Sequence, residues 1–272
     1  MGQLKRAMQA LRAAGEPFVL VTVKDGTGSM PRHRGAAMVV RQDGSIVGSV
    51  GGGLLEATAI EQARQALAAQ QDREHAFHLT GQQAAQSGMI CGGSGVLAFR
   101  YRTPQMELPE IPEEYGRTYI FGGGHVGLAL SKALALLGWP VTVLDDRAAF
   151  AAPERFAGAA GIVLPDFEHI PALPVQPEDR IAIVTRGHLG DLDALRWALG
   201  QPAHYIGMIG SKRKREMLYQ TLRSEGVPQA RLDAVFSPIG LDIGAETPEE
   251  IAIAIVAEMI AVQSQRKKEE ER

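Results

Sequence analysis

The sequence predicts an α/β protein in two parts: a smaller N-terminal α+β domain, then a Rossmann-like domain whose parallel sheet carries helices on both faces. Three observations predict it. Short Val- and Ile-rich runs alternate with helical stretches from Thr118 onward, the pattern of strand–helix–strand units. A G-x-G-x-x-G turn joins the first of those runs to an amphipathic helix. A stretch at 103–116, TPQMELPEIPEEYG, holds three prolines and four glutamates without sustained periodicity and reads as a linker. The expected division is therefore 1–102, linker 103–116, Rossmann-like domain 117–262 and a charged tail 263–272.

The N-terminal part opens with MGQLKRAMQALRAAGE, in which Leu4, Met8 and Leu11 share one helical face. This segment lacks a signal-peptide core and reads as an ordinary first helix. Phe18–Val23 and Ala37–Arg41 read as strands. Asp43-Gly44 is a hairpin signal leading into Ser45–Ser49. Leu54–Leu67 has helical spacing, and 75–79 and 95–101 add two more strands. In the C-terminal part the expected strands are Thr118–Phe121, Val141–Leu144, Gly161–Leu164, Ile181–Thr185 and His204–Met208. The last helix begins with Thr247 as N-cap, Pro248 at the first position and Glu250 closing a capping box. Its run IAIAIVAEMIAV is apolar nearly all round and calls for deep packing. The tail from Gln263, ending RKKEEER, reads as frayed.

Composition narrows the function classes. Of 272 residues, 45% are hydrophobic and 22% charged, as in soluble globular proteins. A net charge of −3 argues against a nucleic-acid binder. No apolar run reaches the roughly 18 residues of a membrane span. One cysteine occurs, which excludes intrachain disulfides and Cys-rich metal sites and fits a reduced, cytoplasmic setting.

The sharpest motif is TYIFGGGHVGLALSKALALLGWPVTVLDDR. Gly122 allows a tight turn, Gly124 lets backbone amides approach a phosphate, and Gly127 allows close helix–strand packing. Helix amides and the macrodipole favour an anion there. Asp145, ending the next strand, is placed to bind ribose hydroxyls. The bland alternative is a fold relic whose glycines serve packing alone. His125 reads equally as a donor to a ligand or as a helix cap.

A second glycine-flanked turn, HYIGMIGSKRKRE, crowds Lys212, Arg213, Lys214 and Arg215 at a helix start. Cations there oppose the macrodipole, and a bound anion would offset that cost; a solvated basic face is the alternative. Ser211 is a good N-cap under either reading. In VTRGHLGDLDALRWAL, Thr185, Arg186 and His188 leave a strand's carboxyl end, where open α/β sheets place ligands. His188 and Asp191 are the candidates for acid–base work, although Asp191 reads better as the residue that starts and caps a helix.

The N-terminal part carries two further anion-binding devices: a basic loop with Arg32, His33 and Arg34, and Gly51, Gly52 and Gly53 before a helix with Glu56 in its first turn. Each alone reads as readily as a turn or a solvated loop. Cys91, followed by Gly92, is either buried and inert or exposed to a soft metal or a persulfide.

Together, GSVGGGLLE (48–56), CGG (91–93), FGGGHVG (121–127), VTVLDDR (141–147), YIGMIGSKRK (205–214) and SPIGLDIGAETPEEIA (237–252) resemble the xanthine dehydrogenase accessory protein family (XdhC/CoxI) from about Leu4 to Val262. The resemblance implies a chaperone that binds the molybdenum cofactor (molybdopterin, in its mono- or dinucleotide form) and holds it while a cysteine desulfurase supplies the terminal sulfur. The chaperone then inserts the cofactor into an apo molybdenum hydroxylase of the xanthine dehydrogenase type. It implies cofactor contacts at Gly51, Gly52, Gly53, Glu56, Cys91, Gly92, Gly122, Gly124, His125, Gly127, Asp145, Ser211, Lys212 and Arg213, with Cys91 as the candidate molybdenum contact. Two departures stand out. Leu54 occupies a position where many relatives carry cysteine, and Thr185-Arg186-Gly187-His188 replaces a Thr-His-Asp-His stretch. The apolar last helix allows a homodimer. The alternatives are an NAD(P)-dependent oxidoreductase acting through the Rossmann domain, for which no Tyr/Lys pair or His/Asp relay is evident, and a nucleotide-sensing regulatory module.

Overall fold

A computed structural model describes residues 3–28, 36–79, 93–109, 116–156 and 158–270. The chain forms two compact units, Met1–Glu114 and Tyr115–Arg272.

In the first unit, strands β1 (Phe18–Gly28), β2 (Ala37–Arg41), β3 (Ile46–Gly48), β4 (Arg73–Leu79) and β5 (Gly93–Arg102) form one antiparallel sheet in the order β3-β2-β1-β5-β4. The β2–β3 hairpin closes through Asp43, whose Oδ1 accepts the Ser45 N–H at 2.8 Å, with Gly44 at φ 83°. Period-2 alternation sends the β1 side chains to opposite faces. Val19, Val21 and Val23 pack with Leu97 and Phe99 beneath α2 (Gly53–Ala69), which buries Leu55, Ala59, Ala63 and Ala66. Phe18 and Leu20 face α1 (Gln3–Ala14), whose Met8 and Leu11 cover them. β1 outruns the expected strand, because past a register shift between Val23 and Asp25 it goes on pairing with β5 as far as Gly28↔Gly93.

In the second unit, β6 (Thr118–Phe121), β7 (Val141–Asp145), β8 (Ala160–Val163), β9 (Arg180–Ile183) and β10 (Tyr205–Met208) form a parallel sheet in the order β10-β9-β6-β7-β8. This is the 3-2-1-4-5 order of a Rossmann sheet, with its switch point between β6 and β9. Tyr119, Phe121, Ile181 and Ile183 pack on one face with α5 (His188–Leu199), α6 (Lys212–Ser224) and α7 (Gln229–Asp233). Ile120, Val143, Ala182 and Val184 pack on the other with α3 (His125–Leu136) and α8 (Pro248–Glu270). A short helix, α4 (Ala148–Ala151), follows β7. Beyond β10, residues 235–239 run parallel to it without forming a named strand. The Phe236 N–H donates to Ile206 C=O, and Phe236 C=O accepts from the Met208 N–H, each at 2.9 Å.

The expected capping box of α8 is formed: Thr247 N–H donates to Glu250 Oε2 at 2.9 Å and Glu250 N–H to Thr247 Oγ1 at 3.3 Å. The helix then runs on to Glu270, through residues that the sequence sets apart as a tail. Its last turns are held at the amino edge of the sheet. Buried Arg180 donates to Gln263 Oε1 at 2.8 Å and to Gly116 C=O at 2.9 Å, and its guanidinium lies 3.9 Å above Trp139. Arg266 donates to Pro177 C=O at 2.6 Å. Among the described residues, no helix is long and apolar enough to cross a membrane.

Candidate phosphate-binding site

Three adjacent parallel strands, β6, β9 and β10, each lead directly into a helix, so the N-termini of α3, α5 and α6 share the carboxyl edge of the sheet. The N-caps of α3 and α5 are Gly124 and Gly187, neither of which supplies a side-chain cap. The first backbone bond of α3 runs from Leu128 N–H to Gly124 C=O at 2.9 Å, which leaves the amides ahead of it without intrahelical partners. Unpartnered amides at the positive end of a helix form an anion site.

The glycines of this turn are required for different reasons. A Cβ on Gly122, whose φ is 108°, would lie 2.5 Å from Val184 C=O in the neighbouring strand. One on Gly123 would lie 1.9 Å from the Phe150 carbonyl oxygen, and one on Gly127 1.9 Å from Gly122 C=O. Real Cβ atoms do not approach so closely, so packing alone demands glycine at all three. Gly124 differs: its φ is −66°, which any residue adopts, and a Cβ there meets no protein atom within 4 Å. Neither a left-handed φ nor packing requires glycine here, although glycine also serves as an N-cap better than alanine does. The open space lies at the N-cap of α3, where a phosphate would sit.

Asp145 braces the turn. Its Oδ2 accepts the Gly123 N–H at 2.8 Å and Arg147 Nη2 at 2.9 Å; its Oδ1 accepts the Arg147 N–H at 2.9 Å and Nε at 2.8 Å. Burial acts to raise this carboxyl, but the Arg147 guanidinium and the two backbone N–H groups outweigh it and hold it below the usual carboxylate range. The Arg147 guanidinium lies 3.6 Å over the Phe150 ring, which Arg155 approaches at 4.9 Å. Arg155 also donates to Gly123 C=O at 3.3 Å. Arg186, exposed after β9, donates to Asp146 Oδ2 at 2.9 Å.

Beside the switch point lies a buried polar cluster. Asp191 is 0% exposed; its Oδ1 accepts Thr185 Oγ1–H at 2.5 Å and its Oδ2 is in contact with the Lys214 ammonium. Burial pushes its carboxyl above the ordinary range against the pull of Lys214 and Thr185. This corrects one expectation. Asp191 does not start or cap α5, which is capped by Gly187 and begins at His188; it sits one turn inside, directed at β9 and α6. The buried charge needs its cation there, and Lys214 supplies it. In the sequence Lys214 stands only as one of four adjacent cations. Helical spacing separates them: Lys212 and Arg213 are exposed, while Lys214 and Arg215 turn inward, Arg215 donating to Ser237 C=O at 2.6 Å. Ser211 caps α6, accepting the Lys214 N–H at 3.2 Å. His125 and His188 are both exposed, at the first positions of α3 and α5.

In the first unit, Gly51, Gly52 and Gly53 have φ of 142°, 72° and 57°. Ser49 Oγ accepts the Gly51 N–H at 3.1 Å and donates to Glu56 Oε2 at 2.7 Å, so Glu56 is tied across the turn. Leu54 is part-exposed at the start of α2. Cys91, Gly92, Arg32, His33 and Arg34 lie outside the described residues. Among the described residues, no group of three or more His, Cys, Asp or Glu side chains could hold a metal ion. The sequence pattern passed over Gly123, the variable position of G-x-G-x-x-G; the run of three glycines was its signal.

Comparison with known proteins agrees with this architecture. A family model described as the XdhC Rossmann domain matches residues 118–259, and one described as the XdhC and CoxI family matches 11–78. The chain is 34% identical over 254 residues to the uncharacterized protein YqeB of Escherichia coli (strain K12), covering 91% of this chain and 44% of that protein. It is 31% identical over 160 residues to a probable xanthine dehydrogenase subunit of Bacillus subtilis (strain 168), covering 58% and 46%. The chain thus spans less than half the length of these two relatives. It is 24% identical over 286 residues to the molybdenum cofactor insertion chaperone PaoD of E. coli (strain K12), covering 95% and 87%. A crystal structure described as a xanthine dehydrogenase from Bacillus halodurans shares the fold, with a TM-score of 0.76 at 23% identity over 98% of this chain and 97% of that one. With more than half of its length matched by the Rossmann-domain model alone, this chain belongs to the XdhC and CoxI family.

Proposed function

We propose that this protein is a molybdenum cofactor chaperone: it binds the cofactor, holds it for sulfuration by a cysteine desulfurase, and delivers it to an apo hydroxylase of the xanthine dehydrogenase type. Family membership and the function named for PaoD support the class. The structural observation that carries the reading is Gly124, whose lack of a side chain is required by neither a left-handed φ nor packing and leaves room for the cofactor's phosphate on the amides of α3. The cofactor is cargo, and the chain acts by binding and orienting it; the sulfur chemistry belongs to the partner.

The test is anaerobic purification from a host with intact molybdopterin synthesis, followed by pterin fluorescence and molybdenum analysis. About one pterin and one molybdenum per chain is expected, with loss of both in Gly124→Ala. Pterin-free protein from such a host, unable also to take up added cofactor, overturns the reading.

A further inference from the structure

We propose that this site takes its ligand by a terminal phosphate monoester and discriminates against ligands that continue past the phosphate into a nucleoside, so that the monophosphate form of the cofactor is its cargo rather than the dinucleotide form. The inference rests on the chaperone reading for the identity of the cargo, and on Asp145 for the selectivity.

In a 3-2-1-4-5 sheet a dinucleotide lies across the switch point, and the acid ending the second strand accepts hydrogen bonds from the ribose hydroxyls. Asp145 is that acid, at the end of β7. A carboxylate offers about four acceptor positions, and four donors fill those of Asp145: the Gly123 N–H and three from Arg147, at 2.8 to 2.9 Å. The carboxylate is 1% exposed. A ribose diol arriving here finds no acceptor left, and pulling Arg147 away would leave a buried charge uncompensated.

The arrangement is also held by a ring contact. Arg147 lies on Phe150, and the Phe150 carbonyl is the atom that a Cβ on Gly123 would strike. Moving Arg147 aside would therefore give up its contact with the Phe150 ring as well as its three hydrogen bonds to Asp145. Asp146 is no open substitute: its Oδ2 accepts from Arg186 at 2.9 Å, and its Oδ1, 3.8 Å from Arg147 Nε, makes no hydrogen bond but is buried away from solvent. A phosphate monoester needs none of these groups; it uses the amides of α3 and the space at Gly124.

The test is equilibrium binding under anaerobic conditions with three probes: the monophosphate cofactor, its dinucleotide form and NADH. The dinucleotide form and NADH should bind at least about tenfold more weakly than the monophosphate form, as expected when polar groups enter a site unpaired. Arg147→Ala should free Asp145 and close that gap, and adding Asp145→Asn should reopen it. Arg147→Lys, which keeps the charge but gives up the fork, covers the case in which the alanine variant does not fold. The proposal is overturned if the wild-type protein binds the dinucleotide form or NADH as tightly as the monophosphate form. It is also overturned if folded Arg147 variants leave the ratio unchanged. If neither cofactor form binds, the chaperone reading fails; NADH then still tests the selectivity, through its expected absence of binding to wild type and gain in Arg147→Ala.

Discussion

Both units carry a run of three glycines ahead of a helix, yet the two runs obey different rules. In the first unit, Gly51, Gly52 and Gly53 all lie in the left-handed half of backbone space, and nothing stands within 4 Å of a Cβ on Gly52. Conformation selects glycine there. In the second unit, Gly123 is selected by a carbonyl pressed against its Cα, and Gly124 by neither conformation nor packing. Runs that look alike in sequence therefore contain three kinds of glycine, and only the last kind points to a ligand.

Alanine substitutions break or sharpen that comparison. The largest effect is expected for Gly123→Ala, which drives a Cβ into the Phe150 carbonyl; a loss of about 3 kcal/mol or more in chemical denaturation is expected. Asp145→Asn comes next, at about 2 kcal/mol at neutral pH, since it removes the charge that pairs with part-exposed Arg147 and turns one of the two acceptor oxygens into an NH2 facing N–H donors. Its pH dependence has a definite sign. The folded-state pKa lies below the ordinary 3.8, so the stabilisation is fully present above that value and is lost as pH falls through the depressed one. Wild type should lose its advantage over the variant across that acid range, and parallel acid-unfolding curves would contradict the pairing.

Gly52→Ala should cost about 1–3 kcal/mol, because φ 72° and ψ 178° is a region essentially reserved for glycine, and a stability-neutral result would mean that the turn relaxes. The smallest stability effect belongs to Gly124→Ala, about 0.5–1 kcal/mol for alanine in place of glycine at an N-cap, accompanied by loss of cofactor binding. If Gly124→Ala unfolds the protein as Gly123→Ala does, the distinction between packing and ligand glycines collapses.

How much of this was legible in the sequence follows from the range of each interaction. β6 lies where its apolar run places it, and β7, β9 and β10 differ from expectation by a residue or two at their ends, because a buried parallel strand is an uninterrupted apolar run; antiparallel β2, buried along Ala37–Val40, also lies as expected. The parallel sheet and its two-sided cover were legible for the same reason. The extension of β1 to Gly28 was not: Lys-Asp-Gly-Thr-Gly reads as a turn, and only its partner β5 makes it a strand. At the site, Gly122, Gly124, Gly127 and Asp145 could be named from spacing, whereas the saturation of Asp145 could not. It depends on Arg147 curling back over two residues, which Phe150 favours by stacking. Asp191 reads as a cap because Asp near a helix start usually is one. Its burial depends on Lys214, 23 positions along the chain, a distance at which local pattern carries no information.

The segment at 235–239 has a consequence for how copies of this chain can meet. A parallel sheet ending in a bare strand is a template for edge-to-edge growth, and β10 would be such an end. Instead its outer side is occupied: Phe236 stacks on Tyr205 at 4.8 Å, the Ile239 N–H donates to Met208 C=O at 3.1 Å, and Pro238 within the segment has no N–H to offer. Gly207 is glycine because Ile239 fills its side-chain space. Strand addition to this sheet is therefore confined to β8, four residues long with Val163 half-exposed. The protein thus carries on one flank its own guard against aggregation by sheet extension.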